Sequence, residues 1–337
     1  MQLFYTFILL AIFFRVDAQD IQICNWQDNK KSAVVLTIDD WLPGHAKIVV
    51  TLLIKRQIPA TFFVTTQAAT WNKNAFKTMR LAQANGSEIA NHTLTHPDLT
   101  AIDFKLAKKE INDARKLIMD SVPGAECLTF AYPMGTKNPE LITEISKTHI
   151  AARAVSQFSE SGINYNFAPS PSDYYKINTV RVWRIVTSQK IASWLDYSIS
   201  GGGMITFMIH SIYNDTIPQG WDALHESFLS EILDTIQMKE KQIWVTTFAN
   251  AVKYHQEKSA SKIEVISNTS SALEFKLTCP LDSKIYNQPL TLKLEKTAKI
   301  SKITQNGKSI PFKVTADGKW ILFDVVPSGE KLVVSYL

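Results

Sequence analysis

The chain has 337 residues, 45% of them hydrophobic and 20% charged, with a formal net charge of +5 and a pI near 8.9. That composition excludes a disordered chain and leaves room for one large domain with a smaller companion. The basic excess falls mainly after residue 256, as scattered lysines rather than a stripe, which argues against nucleic-acid binding.

Residues 3–14 form an apolar run followed by Val16-Asp17-Ala18, small residues where a signal peptidase cuts. Residues 1–18 therefore read as a secretion signal cleaved after Ala18, although no Lys or Arg precedes the run. The mature chain is then exported, to the periplasm, the cell surface or the medium. No second apolar segment reaches spanning length, so no membrane span is expected in the mature chain. Cys24, Cys127 and Cys279 fall in no metal-finger spacing; a Cys24–Cys127 bridge and three buried thiols both stay open.

Residues 33–38 have strand character and run into two adjacent acids, Asp39-Asp40. That is a poor end for a buried strand unless the acids have something to hold. Residues 46–57 show helical spacing, 58–65 read as a strand, and a helix over 74–85 stops at Gly86. A short strand, 88–91, leads to His92, and Thr100 with Asp103 marks the start of a helix over 102–119. Strands at 127–131, 151–155, 180–186, 204–210 and 242–246 alternate with helices at 139–147, 191–199 and 223–239. This alternation predicts an α/β fold over residues 19–256, a mostly parallel sheet curled into a (β/α) barrel that is distorted or incomplete. From 257 to 337 the pattern changes to seven short alternating segments broken by Asn306-Gly307, Asp317-Gly318 and Pro327-Ser328-Gly329. These predict a small all-β sandwich, either a stabilising module or a glycan-binding one.

The chemistry concentrates at strand ends. In His92-Thr93-Leu94-Thr95-His96 two imidazoles stand four residues apart, so one helical turn would bring both to a single ion. Surface histidines and solvated acid pairs are the commoner occurrences of such patterns, and a lone histidine such as His210 is more often structural. What joins the three is position. Each follows the C-terminal end of a predicted parallel strand, the face on which a barrel assembles an active site.

Together these residues resemble the polysaccharide deacetylases, the NodB-like domain of the fourth carbohydrate esterase family, over residues 21–254. Leu36-Thr37-Ile38-Asp39-Asp40 is similar to the family's first motif and the His92/His96 pair to its second. Phe130-Ala131-Tyr132-Pro133-Met134-Gly135 is similar to the third, and Met208-Ile209-His210 to the fifth. The resemblance implies that Asp40, His92 and His96 bind a divalent metal, zinc by default with cobalt or nickel also suited. It further implies Asp39 as the base, His210 as the acid, and the Met134 backbone N–H as a donor to the oxyanion. Two departures stand out. Ala131 occupies the place of an arginine that orients the base, and the fourth motif, an Asp-Trp, is not recognisable. Arg184 is the residue expected to supply the missing charge near Asp39. Trp41, Tyr132, Pro133, Met134 and Trp221 are the expected substrate-binding residues.

The implied partner is an acetylated polysaccharide from which acetyl is removed, most simply from N-acetylglucosamine units. O-acetyl ester hydrolysis on xylan and a catalytically weak glycan-binding protein are the alternatives, and the sequence leaves the oligomeric state open.

Overall fold

Strand β1, Ser32–Asp39, is buried at every position, and the larger domain is assembled around it. The structure is a computed structural model that describes residues 21–70, 74–155 and 173–337; the expected secretion signal lies outside them. After β1 come β2 (Thr61–Val64), β3 (Glu88–Asn91), β4 (Thr129–Ala131), β5 (Ala151–Arg153), β6 (Val180–Arg181), β7 (Met204–Ile209) and β8 (Ile243–Thr246). All pair in parallel, in the order β5-β4-β3-β2-β1-β7-β6, with β8 against the first half of β1. A backbone bridge from Arg153 to Ile177, just before β6, brings the two edges of the sheet together. This is the distorted (β/α) barrel expected from the alternation of elements.

The strand period of two decides which residues face the barrel axis. Val34, Leu36 and Ile38 point outward into the core shared with the helices, and fully burying each such side chain is worth about 1.5–3 kcal/mol. Val35 points inward, with Phe63, Ala90, Ala131 and Ala151. Asp39 has the parity of Val35, and Arg153 that of Ala151. Both are thereby committed to the interior at the C-terminal end of the sheet.

Several expected boundaries shift. The helix expected over 102–119 is Phe104–Ser121, capped by the Asp103 carboxylate, which accepts from Lys105 N–H at 2.8 Å. The strand expected over 180–186 pairs only at Val180 and Arg181; the chain then turns, with Val186 N–H donating to the Trp183 carbonyl. A helix that the periodicity did not reveal, Phe248–Ala260, closes the opposite end of the barrel. Its first turn meets the buried Glu88 carboxylate, which accepts from Ala249 N–H at 2.9 Å and Thr61 Oγ1 at 2.8 Å.

The C-terminal residues form the expected sandwich, but it is not separate from the barrel. Strand Ile21–Ile23 pairs antiparallel with Leu290–Glu295 inside one of its sheets, and the expected boundary at 256 falls within the 248–260 helix. Trp26, Ala33 and Tyr254 share one apolar cluster with Leu273, Phe275, Leu292 and Phe323. Asn306 and Gly307, both at positive φ, make the two-residue hairpin between Ile300–Gln305 and Lys308–Ile310. Cys24, Cys127 and Cys279 are all free thiols, so no bridge forms, but only Cys24 and Cys127 are buried and Cys279 is half-buried, against the expectation of three buried thiols. Burial pushes the Cys24 and Cys127 thiols up to about 12, so both behave as apolar side chains.

Glu257 ties the two parts together. It is fully buried, and Gln288 N–H donates to its carboxylate at 3.0–3.1 Å. Burial raises its pKa from 4.5 to about 7, against the opposing pull of Gln288 and Lys253. The folded state therefore binds the extra proton. Its contribution to stability is complete below about pH 4.5 and is lost as pH climbs through about 7. Thermal midpoints measured across this range should fall with rising pH in the parent, and the slope should flatten in Glu257→Gln. An unchanged slope in the variant would assign the dependence to another group.

Candidate active site

The backbone resolves how two neighbouring acids serve one site. On a regular strand Asp39 and Asp40 would face opposite ways, but β1 ends between them. Asp40 has φ 75 and Trp41 φ 64, both in the left-handed region, while Asp40 N–H still donates to the Phe63 carbonyl at 2.9 Å. The turn swings the Asp40 carboxylate towards the loop after β3, and Asp39 stays aimed at the barrel axis.

His92 and His96 do meet, though not on a helical turn as the spacing suggested. Thr93 and His96 have φ 69 and 65, and the loop is held from below. Asn91 Oδ1 accepts from Thr93 N–H at 2.9 Å, and Thr93 Oγ1 from His96 N–H at 3.0 Å. The Glu110 carboxylate accepts from the N–H groups of Leu94 and Thr95 and from the Thr95 hydroxyl. His92 Nδ1 donates to the Ala131 carbonyl at 2.8 Å, which leaves Nε2 as the lone-pair nitrogen. Asp40 Oδ1 lies 3.4 Å from His92 Nε2 and 3.5 Å from His96 Nε2, and the ligand atoms of all three residues fall within 4.8 Å of one another. The Asp40 oxygen is buried and takes no aligned hydrogen bond. Burial acts to raise the Asp40 carboxyl, yet the close His92 ring and the imidazoles of His210 and His96 hold it well below the usual carboxylate range. Burial and His92 in turn push the His96 imidazole down. One oxygen and two imidazole nitrogens around an orphaned buried carboxylate are a donor set that fits zinc, cobalt or nickel.

Asp39 forms the second half. Its Oδ2 accepts from Arg153 Nη2, and both side chains are almost wholly buried. Arg153 also lies with its guanidinium carbon 5.2 Å from the Phe63 ring centroid. Asp39 Oδ1 is buried without any partner. Arg153, then, is the cation on Asp39, not Arg184, which sits exposed in the turn after β6. The reason is register. Arg153 stands directly opposite Ala131 across the β4–β5 ladder, so the neighbouring strand fills the place that Ala131 leaves.

His210 follows β7. Its Nε2 is 3.8 Å from Asp39 Oδ2, and its Nδ1 is 3.2 Å from Asp222 Oδ2, close but not aligned as a hydrogen bond. Arg181 Nε donates to the same Asp222 oxygen at 2.7 Å. Burial would raise Asp222, but His210 and Arg181 outweigh it and leave the carboxyl below its usual range. The loop around Gly44 braces His210 from behind. His45 Nε2 donates to the His210 carbonyl at 2.7 Å while its Nδ1 accepts from Leu42 N–H. Burial pushes the His45 imidazole down to about 4, so it stays neutral. A Cβ on Gly44 would sit 1.9 Å from the Ile212 carbonyl oxygen, which only glycine avoids.

Of the expected substrate-binding residues, three are core. Trp41 packs edge-on against Phe62, Tyr132 donates its hydroxyl to the Tyr175 carbonyl, and Pro133 is buried. Trp221 is 63% exposed with its ring edge-on to His210 at 4.5 Å, and Met134 is 65% exposed. These two remain on the open side. Sequence reasoning missed Arg153 and Asp222. The first was signalled by a lone charge in Ala151-Ala152-Arg153-Ala154-Val155, the second by the Trp221-Asp222 pair, which lies after His210 rather than before it.

The polysaccharide deacetylase family profile matches residues 27–152. A gellan lyase from Bacillus sp. is 27% identical over 339 residues, covering 91% of this chain and 13% of that protein. A chitooligosaccharide deacetylase from Sinorhizobium fredii is 31% identical over 121 residues, covering 36% of this chain and 55% of that protein. The chain thus spans little more than half the length of the second and a small part of the first. The solved structure of peptidoglycan deacetylase PdaC from Bacillus subtilis aligns with a TM-score of 0.42 at 20% identity, over 68% of this chain and 95% of that one.

Proposed function

We propose that the chain carries a NodB-like polysaccharide deacetylase domain of the fourth carbohydrate esterase family, a reading supported by the profile match over residues 27–152, and that it is a metal-dependent hydrolase acting on an acetylated polysaccharide, with N-acetylglucosamine units as the substrate. The observation that carries this reading is the division of the acid pair. Asp40 Oδ1 faces two imidazoles and Asp39 Oδ1 is left over after Oδ2 takes Arg153, both buried and both without a hydrogen-bond partner.

Asp40, His92 and His96 would hold the metal, which when bound supplies Lewis-acid polarisation of the acetyl carbonyl. The protein's own groups supply the proton transfers. Asp39 Oδ1 takes a proton from the attacking water as the new C–O bond forms, and Arg153 fixes the Asp39 carboxylate in place through its other oxygen. His210 Nε2 gives a proton to the departing nitrogen as the C–N bond breaks and its electron pair passes to nitrogen. The exposed Met134 N–H, in a turn with φ 56, is the donor assigned to the developing oxyanion. Trp221 offers a flat face for a sugar ring beside His210. The same reading has the chain exported after cleavage behind Ala18, which sequencing the mature N-terminus would check. No helix among the described residues is long and apolar enough to cross a membrane.

The test is acetate release by metal-reconstituted protein from chito-oligomers, peptidoglycan, poly-N-acetylglucosamine and acetyl-xylan. Release from N-acetylated substrates that stops on chelation is the expected result. Release from acetyl-xylan alone would make the protein an O-acetyl esterase, and binding without release from any substrate would make it a glycan-binding protein.

A further inference from the structure

We infer that Arg181 is the positioning residue for His210, acting through Asp222 and not on substrate; this deepens the hydrolase reading above and rests on it. One oxygen, Asp222 Oδ2, faces both Arg181 Nε at 2.7 Å and His210 Nδ1 at 3.2 Å. Asp222 itself has φ 49, in the left-handed region that aspartate enters more readily than most residues. The pairing of Leu224 with Ile212 anchors the loop that bears it, and the contacts with Arg181 and His210 orient the carboxylate within that loop.

Arg181 is well placed to do so. It lies in β6, paired in register with Met208, two residues before His210, so the sheet fixes its backbone relative to the imidazole. Its guanidinium carbon is 5.5 Å from the Trp183 ring centroid and 5.2 Å from that of Trp221. With two indoles within cation–π reach, the guanidinium loses rotational freedom while Nε donates to Asp222. The carboxylate held there turns the His210 ring so that Nδ1 faces Asp222 and Nε2 faces Asp39 and the reacting nitrogen. Without Arg181 the Asp222 side chain is free to swing out to water, and the ring loses the partner that sets its direction.

A proton donor matters for an amine leaving group and hardly at all for nitrophenolate, which departs without protonation. Metal-loaded Arg181→Leu should therefore release acetate from N-acetylchitohexaose about 10–100-fold more slowly than the parent while keeping the parent's rate on 4-nitrophenyl acetate. Arg181→Lys should recover only part of the loss, since lysine keeps the charge but not the planar fork. Equal losses on both substrates would make Arg181 a merely structural residue and overturn the inference, as would parent-like rates on both.

A second measurement needs no turnover. In protein labelled with 15N-histidine, the His210 ring-nitrogen resonance, assigned by its disappearance in His210→Gln, should move in Arg181→Leu in the same direction as it does in Asp222→Asn. An unmoved resonance in Arg181→Leu overturns the inference. If the parent fails to act on N-acetylchitohexaose, the substrate reading falls, and the resonance still decides the role of Arg181.

Discussion

Asp39→Asn protein is expected to release acetate about 10²–10⁴-fold more slowly than the parent with its divalent-ion content unchanged. Asparagine preserves the shape of the side chain and can still accept from Arg153, so the packing beneath the site survives. What it removes is the basic lone pair at the buried Oδ1, the one Asp39 oxygen that the protein leaves without a partner. The metal ligands sit on the other side of the strand break and are not touched by the change. Asp40→Asn should behave in the opposite sense, losing bound metal first and activity as a consequence. The two measurements to pair are acetate release and metal content by elemental analysis. An Asp39→Asn protein as fast as the parent would remove Asp39 from the reaction, and one that loses its metal would show that the acids do not divide as described.

This division is also where the sequence was most and least informative. The adjacency of Asp39 and Asp40 at the end of an apolar strand marked both as site residues, because nothing else accounts for two carboxylates at a buried terminus. Strand periodicity alone, however, would have sent them to opposite faces, and only the positive φ at Asp40 and Trp41 reconciles their positions. His92 and His96 were found by spacing for a reason that does not hold. They meet on a loop propped by Asn91, Thr93 and Glu110, and Glu110 lies on a helix that no local pattern connects to them. Arg153 and Asp222 were not legible because their roles depend on which strands become neighbours. A register such as Ala131 opposite Arg153 is a tertiary fact. Arg184 is expected near Asp39 because it lies in the segment where the fourth motif is sought, and only the fold shows that it stands in an exposed turn while Arg153 is buried against Asp39.

The sandwich illustrates the same limit at a larger scale. Alternation and turn residues located its strands closely, since local pattern decides a hairpin such as the one at Asn306-Gly307. They could not show that Ile21–Ile23, more than 260 residues away in sequence, completes one of its sheets. Nor could they show that Trp26 and Tyr254 join its core. The sandwich is thereby part of what holds the barrel's far end, which favours a stabilising role irrespective of any glycan it contacts.

Removal of Arg153 should cost the fold heavily. Arg153→Met keeps most of the volume but leaves the Asp39 carboxylate buried at the barrel axis with its cation gone and Asp40 beside it. Breaking a buried pair from one side in this way costs about 3–5 kcal/mol, so the denaturant midpoint should fall sharply and acetate release should be lost. Activity alone could not say whether the charge or the fold was responsible. The double replacement Arg153→Met with Asp39→Leu separates them, because exchanging both charges for apolar groups of similar size is often neutral or stabilising. Its stability should return close to that of the parent while the protein stays inactive, a coupling that the two single changes do not predict by addition. Arg184→Ala is the matched control and should leave both quantities where they are, since Arg184 stands exposed in a turn away from Asp39. If the double variant remained as unstable as Arg153→Met, the cost would lie in lost packing against Phe63 and Met208 rather than in an unpaired charge.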